Sequence, residues 1–120
     1  MDPLRDAPAD EAVQIWEGVV GRVVGGERST LALIELDPGA VVPEHSHDNE
    51  QLGVLVSGSM TFRVGDETRE LGPGAMWRIA PWTPHEVTVG PDGAVAVESF
   101  VPGRSDWDAL GRRSSPPRWP

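Results

Sequence analysis

From residue 19 onward, short apolar-rich runs alternate with glycine- and proline-bearing breaks. Residues 19–24 end at Gly25-Gly26, 30–36 at Asp37-Pro38-Gly39, and 51–56 at Ser57-Gly58. Residues 60–64 alternate strictly, with Met60, Phe62 and Val64 on one face and Thr61 and Arg63 on the other. That is the period of a half-buried strand. Gly65-Asp66 closes a hairpin into 68–71, and Gly72-Pro73-Gly74 leads into 76–79. Residues 86–89 precede Pro91-Asp92-Gly93, and 95–100 precede Pro102-Gly103. No segment carries a helical period, and 106–110 offers one turn at most. Many short strands at near-regular spacing predict an all-β sandwich or barrel.

Residues 1–12 are rich in Asp, Ala and Pro and carry no period, so they are expected as a flexible N-terminal arm. The barrel domain is expected over 13–110. A flexible tail is expected over 111–120, with Trp107 and Trp119 as the residues that would dock it. At 120 residues the chain has room for one domain. Glycine (14) and proline (12) are spread along it, as turn punctuation is.

Charge and composition exclude several classes. Ten Arg and no Lys against 19 Asp and Glu give a net charge of −9. A phosphate backbone or an anionic membrane needs a cationic surface, so neither is an expected partner. No apolar run approaches the length of a membrane span. With no cysteine, disulfides, thiolate metal sites and cysteine nucleophiles drop out. The N-terminus lacks the basic and apolar regions of a secretory signal, so a cytoplasmic location is expected.

The chain has three histidines: His45, His47 and His85. On an extended strand, His45 and His47 point to one face about 6.6 Å apart and can share an ion. A continuing strand would carry Gln51 about 13 Å beyond His47. Asp48-Asn49 is a turn pair that can fold Gln51 back into reach. His85 follows two prolines in Pro81-Trp82-Thr83-Pro84-His85, which stiffen its approach.

Gly39, His45, His47, Gln51 and Gly58 spell G-x5-H-x-H-x3-Q-x6-G, and 74–85 reads GAMWRIAPWTPH. Together they resemble the two motifs of the cupin family. Gln51 stands where that family usually has Glu, and Ala80 and Trp82 where it usually has Pro and Gly. The resemblance implies a double-stranded β-helix, the jelly-roll cupin barrel, often a homodimer. It implies one divalent metal ion, Zn, Ni, Mn or Fe, held by His45, His47, His85 and Gln51. Glu50 is the competing fourth ligand, but it breaks the spacing to Gly58 and faces the other side of the strand. An all-neutral shell leaves the ion's charge uncompensated and favours Lewis-acid chemistry. Iron oxygenases often use two histidines and a carboxylate instead.

The last run, ESFVPGR, places Glu98 and Phe100 on one strand face, with Arg104 beyond. Pattern alone leaves two readings open. Either Glu98 faces the barrel as a general base with Arg104 clamping a substrate carboxylate, or both are solvated while Val95 and Val97 fill the core. The run LALIELDPGAVVPEHSH and the ending ESFVPGRSDW also resemble small cupins of pectin and alginate breakdown. Those enzymes linearise 4,5-unsaturated uronates and carry Asp, Phe and Arg at the positions of Glu98, Phe100 and Arg104. This implies a small-molecule substrate, with catalysis by Glu98 and Arg104. Phe100, Trp82, Arg78 and Arg63 complete the expected pocket, and Trp77 either lines it as a stacking platform or is a core or interface residue, the reading favoured for it. A cupin polyketide cyclase, a dioxygenase and a non-enzymatic binding cupin are the alternatives.

Overall fold

The computed structural model describes residues 3–7 and 11–118. The rest of the expected arm and Trp119 of the expected tail lie outside the described residues. Nine strands are described: β1 (Ala12–Trp16), β2 (Val19–Gly25), β3 (Thr30–Leu36), β4 (Val41–His45), β5 (Glu50–Val64), β6 (Glu67–Leu71), β7 (Met76–Ile79), β8 (His85–Val101) and β9 (Arg112–Arg113). One 3-10 turn, Ser105–Ala109, stands at the place expected for a single helical turn. No described helix is long and apolar enough to cross a membrane.

The strands are antiparallel in the order β6-β5-β8-β3-β2-β1-β9, with β4 added on β8 and β7 on β5. The long strands β5 and β8 serve both layers of a jelly roll. Their outer halves pair from Glu50↔Val101 to Gly58↔Ala94, beside β3 and β7. Their other halves pair from Met60↔Val89 to Val64↔His85, beside β4 and β6.

Four strands expected from the sequence are thus the halves of two. The joins are irregular, with register shifts between Leu55 and Ser57 and between Gly58 and Met60. Across the joins the inward parity on β5 changes from Gln51 and Leu55 to Met60 and Phe62. A bulge does this by inserting a residue out of step with the ladder. Gly58 sits at φ +82°, and a Cβ there would collide with the backbone carbonyl of Gly93. The glycine lets β5 and β8 cross at close range.

The core lies between the layers and includes Ile34, Leu55, Met60, Phe62, Ile79 and Val87. β9 pairs with β1 through Ala12↔Arg113 and Val13↔Arg112. The chain then runs over β2 and β3, where the Arg22 Nη2 group donates to the Ser115 carbonyl at 2.7 Å. Arg118 donates to the Leu36 carbonyl at 2.9 Å and pairs with Asp37. Beneath it the Arg22–Glu35 ion pair, 3.1 Å long, is almost fully buried at 1% and 2% side-chain exposure.

Candidate metal centre

β4 ends at His45, β5 begins at Glu50 and β8 begins at His85, so these chain ends meet at one end of the barrel. His45 and His85 are cross-strand partners. The expected extended run through His47 stops at His45, and residues 46–49 reverse the chain. Asn49, buried at the reversal, donates to the carbonyl of Pro102 and ties the turn to the segment leading to Arg104. One potential ligand nitrogen of each histidine lies within 4.8 Å of the others.

Each histidine Nδ1 faces a backbone carbonyl: His45 that of Pro43 at 2.9 Å, His47 that of Asn49 at 3.1 Å, and His85 that of Thr83 at 2.8 Å. A carbonyl only accepts, so each Nδ1 donates and each Nε2 keeps its lone pair. Second partners of this kind orient ligating imidazoles. The buried Nε2 of His85 has no hydrogen-bond partner. His47 Nε2 lies 3.0 Å from Gln51 Oε1. Two lone-pair atoms so close repel one another unless a cation sits between them. Donors held at right angles about 2.1 Å from one ion stand about 3.0 Å apart. An orphaned nitrogen and a lone-pair contact at ligand spacing both fit a divalent ion, so the histidine cluster can hold one. Gln51 is buried and turned to the cluster, whereas Glu50 is exposed.

Burial favours the neutral imidazoles of His47 and His85. It lowers the pKa of His85 to about 4. His47 is also lowered, first by burial and then by the Arg104 guanidinium.

The Gln51 amide is fixed at both ends, because its Nε2 donates to Glu98 Oε2. The Trp77 indole N–H donates to the same oxygen at 3.0 Å. Trp77, Gly53 and Glu98 are cross-strand partners on β7, β5 and β8. The indole reaches Glu98 by lying across Gly53, where a Cβ would overlap its ring. Glu98 therefore faces the barrel, not solvent. Burial raises its pKa, while the Trp77 and Gln51 donors and the Arg104 charge pull it partly back. A carboxylate in that state is suited to proton transfer.

Arg104 forms a two-point pair with Asp106, Nε to Oδ1 at 3.1 Å and Nη2 to Oδ2 at 3.0 Å. The pair holds the Asp106 carboxyl below its usual range. The guanidinium lies 4.9 Å from the Phe100 ring centre and 4.4 Å from that of Trp107. Its Nη1–Nη2 edge is not engaged by Asp106 and still offers two donors.

The three histidines, Gln51, Glu98, Phe100 and Arg104 line one cavity of about 390 Å³. The other expected pocket residues do not line it. Arg63 pairs with Glu86 at 3.1 Å and Glu44 at 2.5 Å outside the barrel. Arg78 is exposed on β7, because its neighbours Trp77 and Ile79 take the inward positions. Trp82 is 65% exposed and adopts φ +64°, a left-handed conformation that explains why glycine is usual there. Trp16 and Asp106 have no assigned role in the sequence reading, and Trp77 has none as a partner of Glu98. Trp16 stands 5.2 Å from the His45 ring, Asp106 holds Arg104, and Trp77 binds Glu98. The local signal for β1 is the short run Val13-Gln14-Ile15-Trp16, apolar but for Gln14, and Asp106 is marked only by its spacing from Arg104.

Similar folds occur among solved structures. An RmlC-like cupin from Shewanella frigidimarina superposes with a TM-score of 0.82 at 21% identity, over 89% of this chain and 96% of that one. KdgF from a Halomonas species gives 0.74 at 22% identity, over 81% and 90%. A Bacillus subtilis oxalate decarboxylase with Mn(II) centres gives 0.73 at 19% identity, over 89% of this chain but 31% of that one. A search of curated proteins found no match. Residues 32–100, from the inward-facing Ala32 to Phe100 beside the histidines, match the Cupin domain family, and the chain belongs to that family.

Proposed function

We propose that this cupin is a metal-dependent enzyme that moves a proton within a small oxygenated acid, with Glu98 as the base. The observation that carries the reading is Glu98 itself. It is a carboxylate with a raised pKa, held by two donors, in the same cavity as a lone-pair cluster suited to a metal. His45, His47, His85 and Gln51 would hold the ion. When bound, the ion supplies Lewis acidity toward an oxygen of the substrate. Arg104 would orient an acidic group through its free edge.

Ring opening of a 4,5-unsaturated uronate is the reaction of this class that the sequence resemblance implies. Glu98 takes the proton of the anomeric hydroxyl. The bond between C1 and the ring oxygen breaks, leaving an aldehyde at C1 and an enolate across C4 and C5. Glu98 then returns a proton to C4, giving the ketone, so the sequence is an isomerisation and consumes no co-reactant. The likeness to KdgF supports this reading. Phe100 and Arg104, which follow Glu98 at the spacing of the uronate-linearising cupins, support it as well.

The test compares wild type with Glu98→Gln, both loaded with the same metal, acting on an unsaturated uronate in heavy water. The wild type is expected to place deuterium at C4. Glu98→Gln is expected to turn over about 10²–10⁴-fold more slowly at equal metal content. Equal rates would refute the role of Glu98.

A further inference from the structure

We infer that the indole N–H groups of Trp16 and Trp107 form a donor subsite beside the histidine cluster. The subsite selects an acid rich in oxygen acceptors over an acid of similar size with a hydrocarbon body. The inference rests on the reading above that Arg104 anchors an acid in this cavity, and it names the residues that recognise the body of that acid.

An indole nitrogen only donates, and an enclosed tryptophan usually gives its N–H to a partner. Trp77 does so, to Glu98 Oε2 at 3.0 Å. Trp16 and Trp107 line the same cavity, and neither N–H has a partner among the described residues. Trp107 is only 5% exposed. Its Nε1 is still not sealed in the core, because the one sealed and unpartnered side-chain nitrogen or oxygen among the described residues is His85 Nε2. The two indoles flank the cluster at different histidines. The Trp16 ring centre lies 5.2 Å from that of His45. Trp107 reaches the cluster through Phe100, at 5.1 Å from Phe100, which is itself 6.1 Å from His47. The Arg104 guanidinium lies 4.4 Å from the Trp107 ring centre, so an acid held by Arg104 lies beside that indole.

Most other polar side chains of the cavity are committed. The histidine Nδ1 atoms face carbonyls, Gln51 is engaged through its oxygen and its nitrogen, and both Asp106 oxygens face Arg104. The uncommitted side-chain groups are the two indole N–H donors, the free edge of Arg104, one oxygen of Glu98 and the exposed Ser46 hydroxyl. Donors outnumber acceptors in that set. Its complement is a ligand that presents mainly acceptors: a carboxylate, a ring ether oxygen and the lone pairs of hydroxyls. A sugar acid carries all three. An acid with a hydrocarbon body displaces water from both N–H groups and returns no acceptor, so the same pair that binds the first ligand rejects the second.

The test uses the full chain after metal reconstitution and two acids built on a six-membered ring. One is D-glucuronate. The other is cyclohexanecarboxylate, which keeps the ring and the carboxylate and lacks the hydroxyls and the ring oxygen. Calorimetry gives both affinities for wild type, Trp16→Phe and Trp107→Phe. Phenylalanine keeps an aromatic body and deletes an N–H that bonds nothing in the protein. Each variant is expected to lose about three- to tenfold in affinity for glucuronate and less than about twofold for cyclohexanecarboxylate. In wild type, glucuronate is expected to shift two of the five indole N–H resonances further than cyclohexanecarboxylate does. Those resonances decide the matter if a variant fails to fold. Equal losses for the two acids, indole resonances unmoved by glucuronate, or no binding of glucuronate would overturn the inference. Binding needs no turnover, so a failure of the Glu98→Gln comparison registers separately from a failure here.

Discussion

Replacing Gly53 by alanine tests how the candidate base is held. A Cβ at residue 53 would overlap Nε1, Cε2 and Cζ2 of the Trp77 ring, well inside the 3.0 Å that real Cβ atoms respect. The obstructed group is a rigid indole and not the end of a flexible chain, so the ring must leave its place. Overpacking of this kind costs about 1–3 kcal/mol. Departure also breaks the 3.0 Å hydrogen bond to Glu98. A hydrogen bond to a charged group contributes about 1.5–3 kcal/mol, which is roughly 10–100-fold if the bond steadies the base during turnover. Without that donor the Glu98 pKa rises further, so activity falls away at a higher pH than in wild type. The assay is a double-mutant cycle with Trp77→Leu, read by denaturant unfolding and by the indole N–H resonances. Gly53→Ala should shift one indole resonance and destabilise the wild-type background. It should cost at least about 1 kcal/mol less once Trp77 is leucine. Equal cost in both backgrounds, or five unmoved indole resonances, would refute the reasoning.

Other residues give further tests. Glu35→Ala should destabilise the fold in denaturant unfolding, by up to about 3–5 kcal/mol, because it removes the buried carboxylate that pairs with the Arg22 guanidinium beneath the 112–118 segment. Trp82→Gly should leave the melting temperature unchanged or slightly higher. It relieves a left-handed tryptophan worth about 1–2 kcal/mol and sacrifices a side chain that is 65% exposed. The metal-free protein should lose stability as pH falls. The folded pKa of His85, about 4, lies below its ordinary 6.5, so the unfolded chain takes up the proton first. The stability is present above 6.5 and is lost progressively toward 4, which pH-dependent melting of wild type and His85→Gln would separate.

The alternation of Met60, Phe62 and Val64 and the turn residues made most strands legible, because a half-buried strand writes its period directly into the sequence. Continuity was not legible. The breaks at Ser57-Gly58 and Pro91-Asp92-Gly93 mark bulges inside β5 and β8, and a bulge and a chain reversal use the same residues. β4 was hidden by Pro43 and Glu44, exposed edge positions with no apolar alternation. At the site, the spacing of His45, His47, Gln51 and His85 carried over to a single cluster, and the exposed or inward side of each strand position separated Gln51 from Glu50. Arg63 and Arg78 were misplaced because a charged residue gives no sign of which face it takes until its neighbours are known. The hydrogen bond from Trp77 to Glu98 depends on three adjacent strands and a glycine between them, a relation that sequence spacing does not express.

The proposed function requires that the three histidines with Gln51 hold a divalent ion. The direct measurement is elemental analysis of the purified, metal-reconstituted protein beside His47→Ala, a substitution at the half-buried turn outside the strands. About one divalent ion per chain is expected in wild type and almost none in the variant. A folded wild-type protein that retains no metal after reconstitution, or a His47→Ala variant that binds it as well, would rule out this metal centre.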